Sequence, residues 1–290
     1  MLKTHNRQAP MSRDFPRTDL ASLVVLPERL RALSMLAALR FVSEDDLRSL
    51  GVSAGNVAAL VEGGLAFRFS LQRRMTDPEP TAVLALTRRG AREVAREASV
   101  DPETVASSTL KSCRRSAMFM DHAVALSGFA LRLAMALADI GAPARLLSWE
   151  QRPDRLAQAA PAAAPDASGT GQPLVADGLA VVDGPRGREA LLVEIDRGTE
   201  RPGYLGGKAL GYLRFWRDGG PERRLGARAL RILVVAPDAN RVEHLMRSFR
   251  EETGGTGAGL FWFAPEDALS ESLPSAPVWS TLRRGGMPLW

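Results

Sequence analysis

Two apolar runs separated by a glycine turn constrain this chain more than any other feature. Leu174–Val182 (LVADGLAVV) and Arg188–Asp196 (REALLVEID) are each largely apolar, and Arg186-Gly187 stands between them. Runs of this kind on either side of a tight turn read as the two strands of a hairpin. Ala229–Ala236 is a strongly apolar strand and Gly259–Ala264 another, with helical stretches at Tyr204–Arg217 and Arg241–Arg250. Upstream, Ala117–Ala138 is an amphipathic helix holding Met118, Leu126, Phe129, Leu133 and Leu137, and Arg145–Trp149 is a short strand. Helix, three strands, helix, strand, helix, strand predicts a mixed α/β layer arrangement. Residues 157–173, rich in Ala, Pro, Gly and Ser, read as a flexible insert. From Leu273 to Trp290 there is no clear pattern.

The N-terminal part reads differently. Residues 1–22 are polar and aperiodic, as expected of a disordered lead-in. After Pro27-Glu28, the residues Leu30, Leu33, Leu36, Ala37 and Leu39 approximate a helical repeat that ends at Arg40. Ser43, with Asp46 three residues on, can cap a second helix that stops at Gly51, and Ser53 can cap a third, Ala54–Glu62, stopped by Gly63-Gly64. Leu65–Leu71 alternates loosely as a strand, Arg73–Pro80 is a turn-rich basic tip, Thr81–Leu86 is a second strand, and Thr87-Arg88-Arg89-Gly90 opens a further helix. That is the order of a winged helix-turn-helix. The predicted fold class is α/β (α+β), with a winged domain over 23–98, a connector over 99–116, an α/β domain over 117–270 and a tail over 271–290.

A winged domain places its third helix in the major groove and its ribbon on the DNA backbone. Here the third helix has no Arg or Lys, and Asn56 is its only obvious reader of base edges. Arg68, Arg73, Arg74, Arg88, Arg89 and Arg92 cluster around the ribbon instead, which favours phosphate contact over base reading. The same arginines also suit a solvated face, with the ribbon packed on the rest of the chain. The formal charge of +5, from 38 Lys+Arg against 33 Asp+Glu, permits an acidic partner such as double-stranded DNA without demanding one.

One cysteine, Cys113, excludes an intrachain disulfide and a Cys-rich zinc site and fits a reducing cytoplasm. Met1–Leu20 has no apolar core, so no signal peptide is expected. Ala123–Ile140 is the longest apolar stretch, but Arg132 and Asp139 interrupt it, as in a buried globular helix rather than a membrane span. A cytoplasmic protein without a membrane partner is expected. His122, alone on that helix with no second His or Cys nearby, reads as a hydrogen-bonded packing residue rather than a ligand.

Acids supply the chemical signal. Asp177 lies in the first hairpin strand, and Glu194 and Asp196 end the second. Strand residues two apart share a face, so Glu194 and Asp196 point one way and Val193 and Ile195 the other. Lys208 and Tyr212, four apart on the next helix, also share a face. Lysine is scarce in this chain (Lys3, Lys111 and Lys208 only), which draws attention to one beside acids. Converging carboxylates suit Mg²⁺, which prefers oxygen ligands and lowers the pKa of bound water. Against this, acids at strand ends commonly pair with arginine, and Arg197, Arg201 and Arg214 are close in sequence. Glu150 is either a further site acid or a partner of Arg152 or Arg155.

The stretch VADGLAVV…LLVEIDRGTERPGYLGGKALGYLRFW resembles the replication-relaxation family of bacterial plasmid and mobile-element proteins. The resemblance runs from about Pro27 to Ala264 and implies a winged helix-turn-helix before a restriction-endonuclease-like domain of the PD-(D/E)XK type. Asp177 then matches the first acid of that superfamily and Glu194 the second. Asp196 holds the usual lysine position, a departure that Lys208 can compensate from the helix. Three functions follow as expectations. The first is a DNA-binding protein of plasmid or mobile-element replication or mobilisation, its nuclease-like domain serving as a DNA-binding or assembly platform beside other replication or mobilisation proteins. The second is a Mg-dependent DNA endonuclease with Asp177, Glu194, Asp196, Lys208 and Tyr212 at its site. The third, a ligand-sensing transcriptional regulator, requires an apolar pocket instead of converging acids.

Overall fold

The computed structural model describes residues 19–73, 79–98, 116–141, 144–151, 174–199, 202–269, 273 and 275–290. Arg74, the insert 157–173 and all of the connector but Ser116 lie outside the described residues.

The chain becomes helical earlier than its polar start suggests. Asp19 accepts from the Ser22 N–H and caps α1 (Leu20–Val24), and Leu20 is fully buried. The expected lead-in therefore ends before Asp19 among the described residues, because one leucine with a capping acid suffices to seat a turn on the core. Helix α2 (Glu28–Leu39) stops at Arg40, the one non-glycine residue at positive φ among the described residues. Ser43 caps α3 (Glu44–Ser49) in a capping-box-like arrangement whose return bond comes from its hydroxyl rather than its N–H. Its hydroxyl accepts from the Asp46 N–H at 3.0 Å and donates to the Asp46 carboxylate at 2.6 Å. Ser53 caps α4 (Ala54–Glu62).

Strand β1 (Val42–Ser43), too short to show any periodicity, pairs with β3 (Thr81–Leu86), which pairs in turn with β2 (Ala66–Leu71). Both pairings are antiparallel and give the order β1-β3-β2. After β3, Thr87 caps α5 (Arg88–Ala98), accepting from the Gly90 N–H and donating to the carbonyls of Gly64 and Leu65. A Cβ at Gly90 would lie 2.0 Å from the Leu65 carbonyl oxygen, so this helix can approach the strand only with glycine there.

Helix α6 (Ala117–Ile140) is, by length and composition alone, long and apolar enough to cross a membrane, yet 67% of its most apolar window is buried inside the structure. It lies between α1 and the small sheet on one side and the large sheet on the other, so apolar residues are needed nearly all round it.

The large sheet has six strands in the order β4-β5-β6-β7-β8-β9: Arg145–Gln151, Gly178–Gly184, Gly187–Ile195, Ala229–Ala236, Phe261–Pro265 and Ser280–Thr281. The first three strands form an antiparallel meander, β6-β7-β8 are parallel, and β9 is antiparallel again. Helices α7 (Pro202–Arg217) and α8 (Ala239–Thr253) fill the crossovers. The protein is thus a mixed α/β structure, as the sequence predicts, with the α6-to-β8 order in place among the described residues. Two of its strands start later than expected: β5 at Gly178 rather than Leu174, and β8 at Phe261 rather than Gly259.

Alternation divides the sheet into two faces. Ala180, Val182, Leu191, Val193, Ile195, Leu233 and Val235 join one apolar cluster with α6 and the N-terminal helices. Leu179, Val181, Leu192, Ile232, Val234, Phe261 and Phe263 join a second cluster beneath α7 and α8. The patternless tail is ordered in places. Arg231 is clamped beside it, its guanidinium 5.0 Å from the Trp262 ring and 5.5 Å from the Trp290 ring, donating to the Leu289 carbonyl and paired with the buried Glu189.

Candidate functional site

The end of β6 gathers the polar groups. Glu194 has the parity of Leu192, so its side chain enters the layer under α7 and is 1% exposed. Lys208 and Tyr212, one helical turn apart on α7, both reach it. The Lys208 ammonium donates to the two Glu194 oxygens at 3.1 and 2.9 Å and to the Val175 carbonyl at 3.1 Å. The buried Tyr212 hydroxyl donates to Glu194 Oε1. The i,i+4 spacing thus does what the sequence predicts.

Asp177 immediately precedes β5 rather than lying within it, although its N–H already donates to the Val193 carbonyl. Its carboxylate accepts from the Ile195 N–H at 2.9 Å and sits 3.3 Å from His122 Nε2. The neighbouring Gly178 is required by packing, because a Cβ there would come within 2.6 Å of the Trp149 ring on β4. His122 is a site residue that sequence reasoning missed. It is hydrogen-bonded, as expected, but its partner is the candidate site acid Asp177 on another element, and a lone histidine carries no local sign of so distant a partner.

These groups tune one another. Burial pushes the Glu194 carboxyl up and the Asp177 charge adds to that, while Lys208 and the Tyr212 hydroxyl pull it back, leaving a pKa of about 7. Burial also favours neutral Asp177, but His122, Lys208 and the Ile195 N–H outweigh it and hold Asp177 below the usual carboxylate range. Burial disfavours the His122 imidazolium, yet the Asp177 hydrogen bond and charge prevail and raise its pKa. Burial beside Glu194 lifts Tyr212 well above the ordinary phenol.

Asp196 stands apart from this set. Its buried carboxylate accepts from Arg241 of α8 at 2.5 and 3.1 Å, and from the Gly198 N–H. The strand-end acid thus pairs with an arginine far away in sequence, and of the five groups expected to converge it is the one turned to another partner. Among the described residues no group of three or more His, Cys, Asp or Glu is arranged to hold a metal. Glu194 has both oxygens engaged and Asp196 is neutralised, so the three acids as they stand do not offer a common oxygen set to Mg²⁺. Arg201 lies outside the described residues.

A second charged cluster adjoins the first. Arg197, whose side chain is 5% exposed, donates to Asp121 at 2.7 and 3.1 Å and to Glu266 at 2.5 Å. Arg73, just after β2, pairs with the same two acids at 3.0 and 3.1 Å. Arg73 therefore turns inward, not onto the open side of the ribbon as a phosphate contact, because the buried Asp121 and the half-buried Glu266 hold it. Asp121 and His122 are adjacent on α6, so one residue faces the ribbon and its neighbour the acids.

The remaining predicted DNA-contacting residues divide. Asn56 donates its amide to Glu28 at 2.7 Å and to Ser53 at 3.0 Å, which employs it at the start of α4. Arg68 is exposed and paired with Glu44 at 2.6 Å. Arg88, Arg89 and Arg92 are exposed at the start of α5 and have no ion pair among the described residues. Glu150 is half-buried on β4.

A family model described as replication-relaxation matches residues 29–228 of the chain. No curated protein and no solved structure gives a significant match.

Proposed function

Because this chain belongs to the replication-relaxation family, we propose that it binds double-stranded DNA in plasmid or mobile-element replication or mobilisation through an N-terminal winged helix-turn-helix, and that its α/β part is a nuclease-like platform. The observation that carries this reading is the trio Arg88, Arg89 and Arg92, exposed on the helix that follows the antiparallel ribbon. The order of helices and strands from α2 to α5, with sheet order β1-β3-β2, supports the winged assignment. The exposed side of α4 carries Ala54, Gly55, Ala58 and Ala59, which have nothing to hydrogen-bond to a base edge, and at its end Glu62, whose carboxylate repels phosphate. Binding is therefore dominated by phosphate contacts and only weakly selective for sequence.

The pairing of Glu194 with Lys208 and Tyr212, and of Asp196 with Arg241, supports a platform over a hydrolase, since each acid is already satisfied by the protein. The juxtaposition of Asp177, Glu194 and Lys208 favours the endonuclease reading as the second. Two assays decide. Duplex binding followed by fluorescence anisotropy should weaken when Arg88, Arg89 and Arg92 are replaced by alanine, and unchanged affinity would refute the winged contact. Supercoiled plasmid should stay intact with Mg²⁺ or Mn²⁺. Nicking that disappears in both Glu194→Ala and Lys208→Ala would replace the platform with an endonuclease.

A further inference from the structure

Trp216 is 47% exposed at the C-terminal end of α7, one of few large apolar side chains that face solvent. The other tryptophans are placed quite differently: Trp149, Trp262 and Trp279 are buried, and Trp290 is half-buried against Arg231. No ring stacks on Trp216 and no cation covers it among the described residues, so its indole face is available.

The surroundings are basic. The stretch from Arg214 to Arg228 holds five arginines (Arg214, Arg217, Arg223, Arg224 and Arg228) against Asp218 and Glu222, and all five arginines are exposed. The backbone keeps them close to the indole. The Gly219 N–H donates to the Trp216 carbonyl, and the Arg223 N–H donates to the Gly219 carbonyl, so α7 runs straight into the π-helical turn Pro221–Leu225. Phe215 and Leu225 anchor this corner in the second core cluster, which makes it a rigid mount rather than a loose loop.

An open indole face among exposed guanidinium groups matches one ligand chemistry best: an unpaired base, which stacks on the ring, joined to phosphates, which meet the arginines. A duplex offers the phosphates but keeps its bases stacked away. We propose that the corner formed by Trp216 and the turn Pro221–Leu225 is a contact surface for single-stranded DNA, separate from the duplex contact on α5. It lies on the α7–α8 side of the large sheet, opposite the face on which α6 and the N-terminal helices pack. One molecule could thus hold a duplex and an unwound strand at once.

Intrinsic fluorescence of the full chain tests this directly, because Trp216 is the most exposed of its tryptophans. An oligothymidine of about 12 nucleotides, within the usual span of one single-strand-binding module, should quench the emission, and a duplex of the same length should quench it far less. Trp216→Ala should abolish the quenching and weaken oligothymidine binding about tenfold, with no change in melting temperature. The Arg223→Ala/Arg224→Ala pair should flatten the salt dependence of that binding by about 1.4 in log–log slope. Replacing Arg88, Arg89 and Arg92 should leave the quenching intact, which keeps this surface distinct from the winged contact. Equal quenching by duplex and single strand would overturn the proposal. So would quenching by phosphatidylglycerol vesicles but not by oligothymidine, or a Trp216-dependent self-association that oligothymidine does not disturb.

Discussion

The end of β6 and the start of α5 both concentrate charge, and they dispose of it in opposite ways. At β6, Glu194 and Asp196 are buried and each is held by a cation from a helix, Lys208 or Arg241. At α5, Arg88, Arg89 and Arg92 stand in solvent with no ion pair among the described residues. Charge buried with its partner is part of the folded state's own electrostatics. Charge left open is available to something else. The difference separates the residues whose loss should be read in stability from those whose loss should be read in binding.

The largest effect that can break this comparison comes from Arg241→Ala. It leaves the Asp196 carboxylate, 1% exposed, without its cation, and stranding one member of a buried pair typically costs about 3–5 kcal/mol. Urea unfolding of the variant should show a loss of that order. A loss below about 1 kcal/mol would mean that Asp196 can reach water or another donor, and would return it to the pool of acids able to meet Glu194 and Asp177.

The next effect is a pH dependence of unusual sign. A carboxylate ordinarily titrates lower in the fold than out of it, but Glu194 is raised from 4.5 to about 7. Between those values the folded state keeps a proton that the unfolded chain has released, so stability falls as pH rises through this window, by at most about 3 kcal/mol. His122 acts in the same direction. Its pKa is raised, so its stabilisation is complete below the ordinary 6.5 and is lost as pH rises through the folded value. Asp177 opposes them only in acid: its contribution is present above the ordinary 3.8 and is lost as pH falls through its lowered value. Melting temperature should therefore decline from pH 5 to pH 8. Glu194→Gln should flatten that decline, and a slope that survives the substitution would assign it to another group.

Some of this arrangement is legible in the sequence and some is not, for physical reasons that differ from residue to residue. Glu194 stands out because it breaks an apolar strand of period two, and Lys208 with Tyr212 because a helix puts residues four apart on one face. Both rules are local. His122, Arg241, Arg197 and Arg73 join their partners across elements, and no spacing encodes which acid a distant guanidinium will meet. Strand β1 is two residues long and takes its structure from its pairing with β3. Trp216 looks like any core tryptophan until the helix that carries it is seen to end at the surface. The order of the elements could be read because caps such as Ser43 and Ser53 and breakers such as Gly63-Gly64 act within a turn of their own position.

A smaller effect sharpens the other side of the comparison. Replacing Arg88, Arg89 and Arg92 together by alanine should change stability by no more than about 0.5 kcal/mol per position, as for exposed residues without a specific contact. The same change should lower the salt slope of duplex binding by about 2.7, if each arginine meets one phosphate. Unfolding curves and a salt titration on one protein preparation give both numbers. Large destabilisation with an unaltered slope would show that the trio packs against the rest of the chain instead.

Arg68 lies between the two extremes and so gives the smallest and most discriminating test. It is 55% exposed and meets Glu44 at 2.6 Å, so its charge is partly satisfied and partly open. Exposed ion pairs contribute about 0.2–1 kcal/mol, because solvent screens the attraction and two long side chains must be held still. Glu44→Gln should therefore cost less than about 1 kcal/mol in unfolding. Its effect on DNA should be the reverse of a loss: with the carboxylate gone, Arg68 is freed and a negative charge beside the ribbon is removed, so duplex affinity should rise modestly at low salt and the gain should vanish at high salt. If affinity instead falls, Glu44 holds Arg68 in a pose that contacts DNA, and the partnered arginine belongs with the binding residues. If affinity is unchanged at every salt concentration, the DNA contact is confined to α5 and the ribbon takes no part in it.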